Sequence, residues 1–191
     1  VFTDADCYPA STDWLLQIST QFTKEKTIIL GYGAYEKVKN SFLNKIIRFE
    51  TMLTATQYFS WAKIGKPYMG VGRNLAYKKE EFFNVRGFMD HMKVLYGDDD
   101  LFINQASNEK NTAILYTPSS FTFSKPQENF SSWTNHLRLK ASTKKYYKPF
   151  DKFQLGLFFF SQFWFIILAI VLLVFQYQWM IVTGMIVFRY L

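Results

Sequence analysis

The sequence has 191 residues, 49% hydrophobic, 20% aromatic and 19% charged, with a formal net charge of +7. That length suits one ordinary domain, and the apolar content excludes a broadly disordered chain. A single cysteine, Cys7, excludes an internal disulfide framework and a cysteine-built metal cluster, and His91 and His136, the only histidines, argue against a histidine-built metal site.

In chain order, Val1-Phe2-Thr3 reads as a short strand that ends at Asp4-Ala5-Asp6. Residues 9–12 read as a turn, with Ser11 or Thr12 the expected cap of a helix running to Phe22. Residues 27–32 (TIILGY) are β-rich, and Gly31 and Gly33 are expected to loosen the end of that strand. Residues 41–63 predict a long helix. Its apolar spacing puts Phe42, Ile46, Phe49, Leu53 and Gln57 on one face, with Ile47 and Met52 beside it. Tyr58, Phe59 and Trp61 of that helix suit either a core or membrane lipid. Gly70, Gly72 and Asn74 mark a turn before the strand-like Leu75-Ala76-Tyr77. Short helices are expected over residues 79–85, stopped by Gly87, and over residues 98–107, entered by a turn at Gly97. Residues 111–116 and 121–123 read as strands, and Ser131 or Ser132 as the cap of a basic helix to about Lys140. Strands alternating with helices predict an α/β fold, with no internal repeat.

Positive charge gathers late in the chain. Arg138, Lys140, Lys144, Lys145, Lys148 and Lys152 are opposed over residues 133–152 by Asp151 alone. A basic patch in isolation suits nucleic acid. Here it abuts residues 155–175 (LGLFFFSQFWFIILAIVLLVF), which carry no charge, so anionic membrane lipid is the expected partner and no nucleic acid is. At 1.5 Å per residue that run spans roughly 30 Å, the thickness of a bilayer core. After the polar break Gln176-Tyr177-Gln178, residues 179–191 are apolar again but too short for a full span. The expected organisation is a soluble part over residues 1–132, a basic interfacial segment over 133–152, and a transmembrane hairpin over 153–191 whose second span is cut short. The positive-inside rule places residues 1–152 on the cytoplasmic side of a multi-pass protein of the inner (cytoplasmic) membrane. Because the chain opens inside a strand-like run and closes inside an apolar one, further segments are expected at both ends.

Two acidic clusters carry chemistry. Asp4 and Asp6 follow an apolar strand, and hard divalent cations reach nucleotide phosphates through one or two such carboxylates. Asp98, Asp99 and Asp100 follow Gly97 at a helix start. Negative charge is favoured there by the helix dipole alone, and a carboxylate placed there could also take a proton from an acceptor hydroxyl.

Together these segments resemble the membrane-associated family 2 glycosyltransferases, inverting enzymes of the GT-A (nucleotide-diphospho-sugar transferase) fold, here lacking the N-terminal nucleotide-binding strands and followed by transmembrane helices. Thr3-Asp4-Ala5-Asp6 resembles the family's DxD motif. The resemblance implies that Asp6 contacts a Mg²⁺ or Mn²⁺ ion bridging the donor diphosphate and that Asp4 holds the ribose or the ion. Residues 70–77 (GVGRNLAY) resemble a GxGxN-like segment bordering donor sugar and acceptor, which implies donor-binding roles for Gly72 and Asn74. Residues 97–104 (GDDDLFIN) resemble the acidic ED-type motif; the resemblance places the catalytic base on Asp99, a supporting acid on Asp98, and leaves Asp100 as the alternative register. The family's QxxRW motif is absent in strict form: His136, Leu139 and Lys140 stand where Gln, Arg and Trp would. That departure favours transfer of one sugar over polymer extrusion, with His136, Arg138 or Lys140 near the diphosphate. Contact with anionic headgroups is the simpler role for the same residues.

The implied function is metal-dependent transfer from a nucleotide-diphosphate sugar to the hydroxyl of a glycan or lipid-linked acceptor. The competing reading is a catalytically degenerate, membrane-anchored sugar-nucleotide-binding or assembly subunit.

Overall fold

The computed structural model describes residues 1–92, 94 and 96–190. Its elements are β1 (Tyr8–Pro9), α1 (Trp14–Gln21), β2 (Ile28–Gly31), β3 (Gly33–Tyr35), α2 (Phe42–Lys63), β4 (Leu75–Tyr77), α3 (Lys79–Asn84), α4 (Asp98–Ala106), β5 (Thr112–Leu115), β6 (Thr122–Ser124), α5 (Phe130–Thr143), α6 (Pro149–Val174) and α7 (Trp179–Tyr190). The protein is mixed α/β with small mixed sheets, as the alternation of strand and helix signals predicts. Residues Val1–Lys148 form one compact unit and Pro149–Leu191 a second.

In the first unit β2 lies between β4, to which it is antiparallel, and β5, to which it is parallel. All four β2 residues are buried, as a strand covered on both faces requires. Its register pairs Ile29 with Ala76 and Ile28 with Tyr77. Side chains alternate along a strand, so Ile29 and Ala76 share a face, where Trp14 and Ile18 of α1 complete a core with Leu115. Ile28 and Tyr77 point to the other face, and the Tyr77 ring centroid lies 4.3 Å from that of Phe102 in α4. The helix that begins with Asp98 therefore packs on the face opposite α1.

A second three-stranded sheet, ordered β1-β6-β3, is antiparallel between β1 and β6 and parallel between β6 and β3. Strand β2 ends at Gly31, as the glycines predict, and after Tyr32 the chain resumes as β3 in this second sheet. The strand expected at Val1-Phe2-Thr3 is reduced to a single antiparallel bridge between Phe2 and Leu75.

Helix α2 begins where expected, with Ser41 Oγ accepting from the Asn44 N–H at 3.1 Å. Its buried face differs from the expected one. Leu43, Ile47, Thr51, Ala55 and Tyr58 are buried, while Phe42, Phe49 and Leu53 are 71%, 57% and 45% exposed. Both stripes are apolar, so periodicity alone cannot choose between them. The inner stripe is selected by Tyr58, whose hydroxyl donates to Gly31 O at 2.7 Å, and by packing of Leu43 and Ile47 on Tyr35. Tyr58 is thus a core residue rather than a lipid-facing one. Helix α5 starts earlier than expected because its cap is Asn129, whose Oδ1 accepts from the Ser132 N–H at 2.9 Å. Asp13, and neither Ser11 nor Thr12, occupies the cap position of α1.

In the second unit, α6 is the one helix among the described residues long and apolar enough to cross a membrane. Helix α7 has 12 residues, fewer than the roughly 20 a span needs; Leu191, the last residue of the expected second apolar run, lies outside the described residues. Gln176 and Gln178 make the turn between α6 and α7 with φ of 53° and 49°. Arg189 donates to Gln162 Oε1 and stacks 4.1 Å from the Phe165 ring centroid, so two strongly polar side chains of this apolar pair satisfy each other.

Candidate active site

The residues between Val71 and Leu75 join the two acidic clusters. Gly72–Asn74 forms a single 3₁₀ turn. On one side, Phe2 and Leu75 exchange backbone bonds of 2.7 and 3.3 Å, and Thr3 Oγ1 donates to Arg73 O at 3.0 Å. The Cys7 N–H then donates to Asp4 O at 3.0 Å and closes residues 4–7 into a tight turn. On the other side, the Gly72 N–H donates to Asp99 Oδ2. The carboxylates after the first strand and those at the start of α4 are therefore anchored to the same three residues, although more than 90 positions separate them in sequence.

Two cavities of about 320 and 200 Å³ meet at this point, and Asp4, Gly72, Tyr96 and Asp99 line both. The larger has an aromatic wall of Phe2, Tyr77, Phe88 and Phe102, with Asp98 at its edge. The smaller is polar: Asp6 and Asp100 share it with Arg73, Gln127, His136 and Lys140. The structure thus brings together Asp4, Asp6, Gly72, Asp98, Asp99, Asp100 and His136.

Asn74 and Arg138 stand apart from both cavities. Asn74 is buried with its amide fully used: Nδ2 donates to Tyr32 O at 3.0 Å and to Ser120 O at 2.8 Å, while Oδ1 accepts from Trp14 Nε1 at 3.2 Å. It fastens the turn to both sheets and to α1 and has nothing left to offer a ligand. Arg138 is exposed on α5. His136 and Lys140, four residues apart, share a helical face, whereas position 138 falls about 200° away.

Burial dominates the electrostatics. It raises the pKa of half-buried Asp99 above the ordinary aspartate range; bonds from the Gly72 and Asp100 N–H groups oppose the shift, and the charges of Asp98 and Asp4 add to it. Asp4 is raised in the same way, with Arg73 opposing and Asp6 and Asp98 adding. Asp100, 7% exposed, is held well above the usual range by burial and by Asp99, with Lys140 and a hydrogen bond to Tyr147 opposing. Burial, then Lys140 and Arg73, push His136 down to about 4, so its imidazole is neutral at physiological pH.

The ligand atoms of Asp4, Asp6 and Cys7 all lie within 4.8 Å of one another. Burial raises the Cys7 thiol pKa, and Sγ lies 3.9 Å from Asp6 Oδ1 as a donor. A protonated thiol is a poor ligand for a hard cation. The usable set is two crowded carboxylates, which suits Mg²⁺ or Mn²⁺ with the remaining positions left to water and phosphate oxygens.

One charged side chain of the polar cavity escapes the sequence reading. Arg73 stands between Gly72 and Asn74, is 8% exposed and lines the polar cavity. Its signal was present, because Arg73 is the single charge in residues 67–77 (PYMGVGRNLAY). Comparison with protein-family models finds none that matches, and comparison with curated proteins returns no match.

Proposed function

We propose that the protein is an inverting glycosyltransferase of the GT-A type that moves a sugar from a nucleotide-diphosphate donor to an acceptor hydroxyl. The observation that carries this reading is the placement of Asp99 in the wall common to two cavities, with Asp4 and Asp6 opening on the polar one. A donor diphosphate suits the polar cavity, where basic side chains face the two carboxylates. An acceptor approaching along the aromatic cavity meets Asp99 at its inner end, and aromatic faces suit the apolar face of a sugar ring or a lipid chain.

In the proposed reaction Asp99, held by the Gly72 N–H, takes the proton of the acceptor hydroxyl. The acceptor oxygen bonds to the anomeric carbon as the bond to the diphosphate oxygen breaks, and the nucleoside diphosphate leaves with the electron pair. Asp4 and Asp6 would hold Mg²⁺ or Mn²⁺, and the ion supplies charge neutralisation for the leaving diphosphate. Lys140 adds positive charge from α5. Asp98, exposed at the rim, is placed to orient the acceptor. No nucleophilic cysteine or serine is required.

Donor binding tests this reading. The full-length protein in detergent should bind UDP or GDP sugars only with the divalent ion present, and Asp6→Ala should remove both that dependence and most activity. Binding and turnover that persist unchanged in excess chelator would exclude the site.

The basic residues ahead of α6 place the first unit on the cytoplasmic side of the cytoplasmic membrane in this proposal, in a multi-pass protein. A reporter fused at Tyr177 should then be read from the opposite face; cytoplasmic signal there contradicts the topology.

A further inference from the structure

The surroundings of Arg73 are built around a guanidinium. Gly33 lies directly beneath it: a Cβ at position 33 would stand 2.7 Å from Arg73 Cβ. The Tyr35 ring supports the guanidinium at 4.2 Å. The hydroxyls of Thr3 and Thr122 both donate to its carbonyl, at 3.0 and 2.8 Å. Nη1 donates to Ala34 O at 3.2 Å and to Ser124 Oγ at 3.1 Å. The Nε and Nη2 N–H groups have no protein partner among the described residues, on a side chain that lines the polar cavity. A planar fork of N–H groups matches the oxygens of a phosphate.

Two polar atoms of the same cavity lining, His136 Nε2 and Gln127 Oε1, are buried without a partner. Gln127 is tied back through Nε2, which donates to the Tyr35 hydroxyl at 3.4 Å. His136 Nδ1 lies 3.3 Å from the Tyr96 hydroxyl. With the phenol as donor, a neutral imidazole carries its proton on Nε2. Arg73, Gln127 and His136 thus come from three separate segments and line one cavity with polar atoms that have no protein partner among the described residues.

We propose that Arg73 and His136 bind a phosphate group of the donor, the guanidinium through Nε and Nη2 and the imidazole through Nε2–H, in the cavity that Asp4 and Asp6 also line. The proposal rests on the donor reading of this cavity given above. The charged groups that line the cavity with Arg73 are Asp4, Asp6, Asp99, Asp100, Lys125 and Lys140. A phosphate meets the carboxylates only through a cation, whereas Arg73 and His136 can donate to a phosphate oxygen directly.

The test is isothermal titration of the full-length protein in detergent with inorganic pyrophosphate, UDP and GDP, each with Mn²⁺, alongside thermal melts of every variant. Arg73→Lys keeps the charge and loses the fork, and should weaken binding roughly 10- to 100-fold, the scale of one charge-assisted hydrogen bond. His136→Ala, at a half-buried helix position, should weaken it about 5-fold and decides the matter if Arg73→Lys melts too low to be read. Lys45→Gln, on the outer side of α2, should bind as wild type does. Binding that is lost in Asp6→Asn but unchanged in both Arg73→Lys and His136→Ala overturns the proposal and leaves the donor reading intact. Binding lost in Arg73→Lys but kept in Asp6→Asn upholds the proposal and removes the metal. If none of the three probes binds wild type, the donor reading falls and this proposal falls with it.

Discussion

Asp99→Asn should lower kcat by roughly 10²-fold or more, the scale of a positioned acid–base group, while donor affinity stays near wild type. The amide keeps the size of the carboxylate and one oxygen for the Gly72 N–H, which in the native protein donates to Asp99 Oδ2, but it cannot accept the acceptor's proton. In the proposed reaction donor affinity depends instead on Asp4, Asp6 and the basic side chains of the polar cavity. The acidic limb of the rate profile carries the same information. Burial raises Asp99 above the ordinary aspartate range. Because a proposed general base acts deprotonated, activity should be full above that raised pKa and be lost as pH falls through it. The neighbour separates the roles: Asp100 is buried and hydrogen-bonded to Tyr147, so Asp100→Asn should change kcat by only a few fold. Steady-state transfer and donor titration of both variants check this. Near-normal kcat in Asp99→Asn with a dead Asp100→Asn would reverse the assignment.

Gly97→Ala should be among the most destabilising single substitutions in the first unit. Gly97 has φ of +85°, where an L side chain costs about 1–2 kcal/mol, and the added Cβ would collide with Cγ2 of the fully buried Thr143. Overpacking a closed site costs about 1–3 kcal/mol more, so a total near 2–5 kcal/mol is expected against a domain stability on the order of 5–15 kcal/mol. The collision also falls at the start of α4, where Asp99 is set against Gly72. The two contributions separate in a double variant. Thr143→Ser removes Cγ2 and keeps the hydroxyl, which donates to Lys140 O at 2.8 Å. In the Gly97→Ala background it should recover the packing share and leave the backbone share. Thermal melts of the two single variants and the double check this. A Gly97→Ala protein that melts with wild type would show that the left-handed turn and its contact do not hold α4 in place.

Much of the architecture was readable from local signals. Helix α2 starts where its apolar spacing predicts, with Ser41 capping it by a side-chain bond, and the apolar run that becomes α6 needs only its length and lack of charge. The limits have equally local causes. Helix α2 carries apolar residues on both faces, so the choice of the inner one waits for Tyr58 to reach Gly31. Strands β1 and β3, of two and three residues, are too short for a periodic signal; they exist because β6 pairs with both.

The site divides along the same line. Asp4 and Asp6 at a strand end and Asp98–Asp100 at a helix start are visible as clusters, because charge stands out against apolar neighbours. That they face one another across Gly72 is a tertiary fact, created by hydrogen bonds from residues 2, 3, 72 and 75. Asn74, to which the resemblance gives a donor-binding role, instead holds the turn to its surroundings, while the Arg73 guanidinium lines the cavity. A motif read along the chain names the turn and cannot say which of its side chains points inward.

The most direct test of an inverting, metal-dependent transfer is proton NMR of the sugar product. The full-length protein in detergent is offered a panel of sugar nucleotides with Mn²⁺, and the anomeric configuration of the first product is read before it equilibrates. The structure-based account predicts that an α-linked donor yields a β-configured product and that excess chelator abolishes turnover. A product of retained configuration, turnover indifferent to chelator, or no turnover of any sugar nucleotide would contradict it.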